Sequence, residues 1–434
     1  MFRSSLKQFS ENLDTLREFT AIAAPYLTEK KEEEGKRNAK ALVPLAVAFH
    51  QLDPTKYPLP DGVTQENLPL LAKNFEVEVD GDAPADRRGF HVIFHDQATA
   101  EAFNFALKKM KRGSRQVQHL YDVSLVSLIS TVEWFLSTIL HEYFDKFPDA
   151  AEGKEKVFSL SDLKSFSTIE HARTYLIDTY VENILRGSFD DWLQFLKNRL
   201  KLSCGYLDTH IDCLTEAFQR RNLLVHNGGI VNNIYLAKVC PQFQENLPIG
   251  ARIQVEPSYL DSTISLFERS FLLVAAELWK KLNAEDSERS GVLIEIAYDH
   301  LVAERWDIAE SLSFFSMNDA RLPEIDKLVA TVNYWQSLKW QGRFDEVRDA
   351  VKTADFSAKN EAFHIAQSVL LDDFDTFFTI LPHALESGAL PKGALTKWPL
   401  FRDARKIEKI KPFLDTDSAI APEEAPSIRD QDSA

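Results

Sequence analysis

Apolar residues recur every three or four positions through most of the chain, which predicts helices. Residues 1–50 read as helical with charged interruptions: Leu13, Leu16, Phe19 and Ile22 form an apolar series opening at Ser10, and a strongly charged stretch succeeds it at 29–37. Pro54, Pro58, Pro60 and Pro69 mark residues 51–68 as a loop or linker. Phe75–Val79 then alternates apolar and charged with the period of a strand, and 89–94 is a second β-rich run after Asp80-Gly81-Asp82. Together they predict a small hairpin, the one β element expected. From Thr99 the period is helical again, over 99–110 and over 117–146. The second run carries Val123, Leu125, Leu128, Ile129, Val132, Phe135, Leu136 and Leu140, and Phe147-Pro148 closes it. Ser159 and Ser161 are placed to cap a helix after a polar stretch, with Asp162 and Glu170 in early-turn positions. Further helices are expected near 168–186, 189–201, 207–226 and 258–283.

The last third repeats. Trp306-Asp307, Phe344-Asp345 and Phe374-Asp375 each follow one predicted helix and open another, 38 and then 30 residues apart. An aromatic-Asp turn between helices at this period suits stacked helical hairpins, because a single hairpin cannot bury its apolar face alone. The turn Gln341-Gly342-Arg343-Phe344-Asp345-Glu346 resembles that of a tetratricopeptide repeat, with the likeness extending over about 291–415. Trp335 and Trp340 are read as packing residues of these repeats. The segment from 415 is acidic and poor in apolar residues, so it is expected to be disordered.

Composition adds limits. A chain of 434 residues with 44% hydrophobic and 11% aromatic residues can build a sizeable core in two or three domains. Its 50 Lys and Arg stand against 66 Asp and Glu, a net charge of −16, which excludes general affinity for polyanions. Any contact with nucleic acid must come from a local patch. Three cysteines, Cys204, Cys213 and Cys240, cannot form a disulfide framework and fit a reducing compartment. The charged N-terminus lacks the apolar centre of a signal peptide, and no uninterrupted apolar run approaches a membrane span. The expectation is a soluble, cytoplasmic protein with no membrane partner.

The segment 216–232 carries the candidate chemistry. Leu214, Phe218 and Leu224 give a helix that stops at Gly228-Gly229, with His226 in its last turn and Arg221 about one turn earlier. Residues five apart lie about 140° apart around an ideal helix, so Arg221 and His226 converge only if the helix end loosens or a partner helix supplies the second face. Taken as spacing alone, Arg-x4-His reads as a surface helix with polar caps and a structural histidine.

The whole string changes that reading. Arg221-Asn222-x3-His226 resembles the Arg-polar-x-His signature of HEPN domains, and RRNLLVHNGGIV resembles their RiboL-PSP-HEPN branch. The likeness reaches upstream to 125–140, 158–166 and 181–196 and spans about 115–285. It implies a metal-independent endoribonuclease, without a cofactor, in which two motifs face each other across a homodimer formed through the HEPN domain. Carried onto this chain, Arg221 and His226 take the catalytic positions and Asn222 the polar position beside Arg221. Attack by a ribose 2′-hydroxyl needs a proton acceptor, a proton donor and positive charge at phosphorus; histidine suits the first two near neutrality and the planar guanidinium suits the third. Glu133 is the candidate to orient Arg221, or else an ordinary salt-bridge residue. Asn227 is first a capping residue and second a substrate contact. For RNA binding the candidates are Arg220, Lys197, Arg199 and Lys201, and a second basic cluster comprises Lys108, Lys109, Lys111, Arg112 and Arg115.

The expected fold is mainly α: an N-terminal α/β region with a β-hairpin (1–112), a central HEPN helical bundle (113–288), C-terminal helical-hairpin repeats (289–414) and an acidic tail (415–434). The expected function is cleavage of tRNA or other cellular RNA by a toxin or phage-defence effector, with a partner or trigger on the repeat arm. The alternative is a non-catalytic binding or regulatory protein built on the same helices. Other chemistries lack residues. There is no phosphate-binding Gly-rich loop and no Gly-x-Ser-x-Gly. His141-Glu142 lacks a second zinc histidine, and His91 and His95 lack a third ligand.

Overall fold

Phe2, Leu6, Phe9, Leu13 and Leu16 fall on one stripe of a helix, and that stripe is buried. In the computed structural model they are the buried residues at the start of α1 (Phe2–Arg37). The expected series had its members downstream of Leu13, but Phe19 and Ile22 are exposed, because burial rather than local pattern selects which part of an apolar stripe is used. The structure describes residues 2–60, 62–64, 66, 68–79, 89–151, 166–245, 247–357, 359–391 and 393–417. Ser159, Ser161 and Asp162 lie outside them.

The architecture is mainly α with one small hairpin, as expected. Two units are distinguished: Met1–Asp14, Ser127–Ile253 and Asp261–Ala434 form one, and Thr15–Val126 with Gln254–Leu260 the other. In the smaller unit, α2 (Val43–Leu52) packs on the hairpin of β1 (Phe75–Val79) and β2 (Phe90–Phe94). The strands are antiparallel, with Phe75 opposite Phe94, Val77 opposite Val92 and Val79 opposite Phe90 on the inner face. Phe49 of α2 meets Phe90 at 5.4 Å, and Phe94 meets Phe103 at 5.0 Å.

The expected helices 99–110 and 117–146 are one helix, α3 (Gln97–Lys146). The intervening Gly113 does not break it; instead, the missing side chain lets Lys31 of α1 approach, since a Cβ there would stand 3.3 Å from Lys31 Cγ. The division expected at 112/113 therefore falls within a helix. Averaged over 18 residues, part of α3 reaches a mean hydropathy of 1.7, enough by length and composition for a membrane span. Half of that window is buried inside the protein, and Leu128, Ile129, Val132, Phe135, Leu136, Ile139 and Leu140 are core residues.

In the larger unit, α4 (Ile169–Leu185), α5 (Phe189–Gln194), α6 (Ile211–Asn227), α7 (Asn233–Lys238) and, from Asp261 onward, α8 (Pro257–Leu282) come next along the chain. The expected helix 189–201 is interrupted: residues Phe195–Arg199 form a wider π-type turn. An aromatic file runs through this core: Phe189 stacks on Phe218 at 4.7 Å, and Phe218 meets Phe267 at 5.4 Å. Phe9 stacks on Phe135 at 4.0 Å.

The C-terminal hairpins are α9 (Glu288–Val302) with α10 (Trp306–Met317), α11 (Glu324–Trp340) with a 3-10 turn and α12 (Arg348–Thr353), and α13 (Glu361–Leu370) with α14 (Phe374–Glu386). Each first helix ends in the same left-handed turn, at Glu304, Gly342 and Asp372, with φ of 58°, 75° and 60°. In each, two backbone bonds close the helix: Arg305 N–H to His300 C=O (2.8 Å), Arg343 to Leu338 (2.9 Å) and Asp373 to Ser368 (2.9 Å), with shorter-range partners from Glu304, Gly342 and Asp372. The aromatic residue recognised in the sequence stands two positions after each turn. Lys339 then caps the carbonyls of Val369 and Leu370 at 2.9 Å, which locks successive hairpins together.

The division expected at 288/289 falls inside the larger unit, because the first turns of α1 bridge α8 and α9. Ser10 donates to the fully buried Glu268 of α8 at 2.6 Å, and His300 of α9 approaches the same carboxylate at 3.2 Å. Of the expected tail, residues up to Asp417 are helical and the rest lie outside the described residues.

Glycine accepts the left-handed turn at no steric cost, whereas Glu304 does not, and its ion pair to Arg402 is exposed and long at 3.6 Å. Glu304→Gly is expected to raise stability in thermal or urea unfolding by about 0.5–1 kcal/mol, and Gly342→Ala to lower it by about 1 kcal/mol or more. A second prediction concerns Glu142, which accepts from Ser5 at 2.6 Å while its other oxygen, Oε2, has no partner among the described residues. Burial pushes its carboxyl above the usual glutamate value. The folded state then holds this proton more tightly than the unfolded state, so stability is lost as pH rises through the raised value. Glu142→Gln is expected to remove that loss, measured as unfolding free energy against pH above the ordinary glutamate range.

Candidate functional site

Helix α6 is set by what it buries. Leu214, Glu216, Ala217, Phe218, Gln219, Arg220 and Leu223 are all inside. Glu216 is a carboxylate at 1% exposure, and two donors meet the same oxygen: Arg220 Nε at 2.7 Å and Tyr235 Oη of α7 at 2.7 Å. The Tyr235 hydroxyl is held well above the usual tyrosine value, first by burial and then by that neighbouring carboxylate. Arg220 was expected to contact RNA; at 9% exposure and paired with Glu216, it is instead a core residue. An unpaired charge could not be buried there, which is why the two occur together, four residues apart.

The next residue is turned about 100° around the helix. Arg221 accordingly leaves the Glu216 side and reaches α3, where its guanidinium donates to Glu133 Oε1. Arg221 is 20% exposed and Glu133 33%, so the pair lies at the surface edge of the bundle. Arg221 Nε has no hydrogen-bond partner among the described residues. The expected contact between Glu133 and Arg221 is therefore present, formed between residues 88 positions apart. Asn222, half-buried, makes no side-chain hydrogen bond to the described residues.

The helix stays regular to Asn227 and stops where Gly228 (φ 59°) and Gly229 (φ 77°) enter the left-handed region. The Gly229 N–H returns to the Leu223 carbonyl at 2.9 Å. Asn227 caps the turn, its amide donating to the Ile230 carbonyl at 2.6 Å, so its first expected role is the one seen. The chain then forms a one-residue bridge, Ile230 to Arg252, and a small core of Leu223, Val231, Tyr235, Val239 and Ile253 closes beneath it. His226 emerges from the last turn exposed, with no hydrogen bond or ion pair to the described residues. Because the helix does not loosen before Asn227, Arg221 and His226 remain on different faces of it.

The remaining basic candidates, Lys197, Arg199 and Lys201, lie in one five-residue segment. Lys197 is engaged in an ion pair with Asp208. Arg199 and Lys201 are exposed at the end of the π-type turn, Lys201 with a φ of 53°. Among the described residues no cluster of three metal-ligating side chains occurs. His91 faces Glu78 across the hairpin, and His95 lies 3.3 Å from the Lys73 carbonyl. Cys204 is buried, and burial pushes its thiol up to about 11, so it is not a ready nucleophile at neutral pH.

Glu216 and Tyr235 are the residues that sequence reasoning missed. The i, i+4 spacing of Glu216 and Arg220 was a readable signal, but nothing local pointed to Tyr235. Tyr235→Phe is expected to cost about 1–2 kcal/mol, since Arg220 still meets the carboxylate, whereas Arg220→Met is expected to cost about 3–5 kcal/mol by stranding a buried charge. Urea unfolding of the two variants checks the order. No protein-family model, curated protein or solved structure matches the chain.

Proposed function

We propose that this protein is a metal-independent endoribonuclease of the HEPN type, acting through Arg221 and His226. The observation that carries the reading is the combination at α6: a guanidinium oriented by Glu133 and an exposed imidazole on the last turn before Gly228-Gly229. In the proposed reaction a base takes the proton of a ribose 2′-hydroxyl, and the oxygen attacks the adjacent phosphorus. An acid protonates the departing 5′-oxygen, leaving a 2′,3′-cyclic phosphate and a 5′-hydroxyl. Arg221 stabilises the charge on the phosphorane through its guanidinium, which Glu133 holds in place.

One chain offers one imidazole at this place, and the regular helix keeps Arg221 and His226 on different faces. A second copy is therefore proposed to complete the site. Val225, Ile230, Ile234 and Ile249, all exposed large apolar residues around the end of α6, support a self-association surface there. Unrestrained RNA cleavage would be lethal to a cell, so a toxin or defence role implies a trigger. A cleft of about 680 Å³ in the larger unit, where Tyr298, Asn333, Gln336, Phe363 and Trp398 line the first helices of the hairpins, is a suitable place for a partner or ligand. The net charge of −16 favours a second reading, in which the same helices bind and regulate without cutting.

His226→Ala and Arg221→Ala are each expected to lower cleavage of total RNA at least about 100-fold with the fold intact, and EDTA is expected to leave the wild-type rate unchanged. Wild-type cleavage by His226→Ala would overturn the assignment. Absence of cleavage by the wild-type protein would favour the binding reading. Glu133→Gln is expected to lower the rate about tenfold by releasing Arg221 from its orientation.

A further inference from the structure

Between Glu101 and Asp122 the chain holds no carboxylate, yet Lys108, Lys109, Lys111, Arg112 and Arg115 fall within eight residues of it, in a protein of net charge −16. The structure puts all of them on α3, in the smaller unit. At about 100° per residue, Arg112, Arg115 and Lys111 lie within about 60° of Lys108, and so do Phe105 and His119. All six of these side chains are exposed, Phe105 at 59%. Lys109 alone is turned aside: it pairs with Glu34 at 3.6 Å and lies 5.8 Å from the Phe105 ring. Lys108, Lys111, Arg112 and Arg115 have no ion pair among the described residues. They are spaced three and four residues apart, so each repels the next, which raises the energy of the helix unless an anion lies along it.

We infer that this face of α3 binds the phosphate backbone of single-stranded RNA, with Phe105 stacking on a base. The four charges extend along about 10 Å of helix axis as a single line, which suits a polyanionic strand. A membrane surface fits less well. Insertion needs a broad apolar face, and the opposite side of this helix, with Phe103, Ala106 and Gly113, is already buried, leaving one exposed aromatic ring. Of the other basic candidates, Arg220 is in the core and Lys197 is neutralised by Asp208, which leaves Arg199 and Lys201 exposed against the four cations aligned on α3. The choice of RNA rests on the ribonuclease reading, and the face supplies what that reading lacks, a place to hold substrate on an acidic protein.

The test uses the full chain and a fluorescein-labelled, fully 2′-O-methylated 20-nucleotide strand, which cannot be cleaved through its 2′-oxygens. Binding is followed by anisotropy from about 50 to 300 mM salt. The combined variant Lys108→Gln, Lys111→Gln, Arg112→Gln, Arg115→Gln is expected to bind at least about tenfold more weakly at low salt. Its log–log salt slope should be shallower by roughly 2–3, at about 0.7 per lost phosphate contact. Phe105→Ala is expected to weaken binding about five- to 100-fold with the slope unchanged, and Phe105→Trp to retain affinity. Wild-type affinity and slope in the four-site variant would overturn the inference. So would failure of the wild-type protein to bind the strand while it binds phosphatidylserine vesicles through the same residues. Because the probe is not cleaved, the two readings fail separately: a wild-type protein that binds through α3 but never cuts RNA loses only the ribonuclease assignment, and one that cuts with binding indifferent to α3 loses only this one.

Discussion

The buried carboxylate of Glu216 sets the rotation of α6, and the candidate site depends on that rotation. A charge at 1% exposure must be met, and Arg220 and Tyr235 meet it at one oxygen. With Arg220 turned inward, the next residue is carried round by one helical step to the surface edge, where Glu133 receives it. The same rotation brings residue 226 out on the final turn. Two adjacent arginines thus do opposite work, one holding the helix in place and the other displayed from it.

The helix then has to stop, and it stops by backbone conformation. Gly228 and Gly229 both take positive φ, and the returning strand-like segment bridges to Arg252. The apolar cluster of Leu223, Val231, Tyr235, Val239 and Ile253 holds both sides of the turn. Tyr235 belongs to the polar network and to this cluster at once, so helix rotation and helix termination are fastened by the same side chain.

The hairpin region obeys a comparable rule. Three left-handed turns close three first helices with the same pair of backbone bonds, although only Gly342 is a glycine. Glu304 and Asp372 tolerate the conformation because the turn satisfies carbonyls that would otherwise be left without donors. Charge is distributed just as unevenly as conformation. An acidic protein keeps Lys108, Lys111, Arg112 and Arg115 together on one exposed face of α3, while Arg220 and Lys197 are absorbed into ion pairs.

By itself the amino-acid sequence determined the helical period, the β-hairpin pair Phe75–Val79 and Phe90–Phe94, the aromatic marker of each hairpin turn, and the stop at Gly228-Gly229, all of which are local properties of spacing and residue type. It also named Arg221, His226 and Glu133. It assigned Arg220 to RNA contact, because the pairing with the buried Glu216 that holds this side chain in the core depends on α7 packing over it. It could not show that 99–110 and 117–146 are one helix, since Gly113 looks like a break until Lys31 of α1 is seen packed against it. The division drawn at 112 falls within α3, and the one at 288 falls inside the larger unit, where the first turns of α1 are joined to α8 and α9 through the buried Glu268. Which face of a helix is inside depends on partners hundreds of residues away, and pairings at that separation leave no periodic trace in the chain.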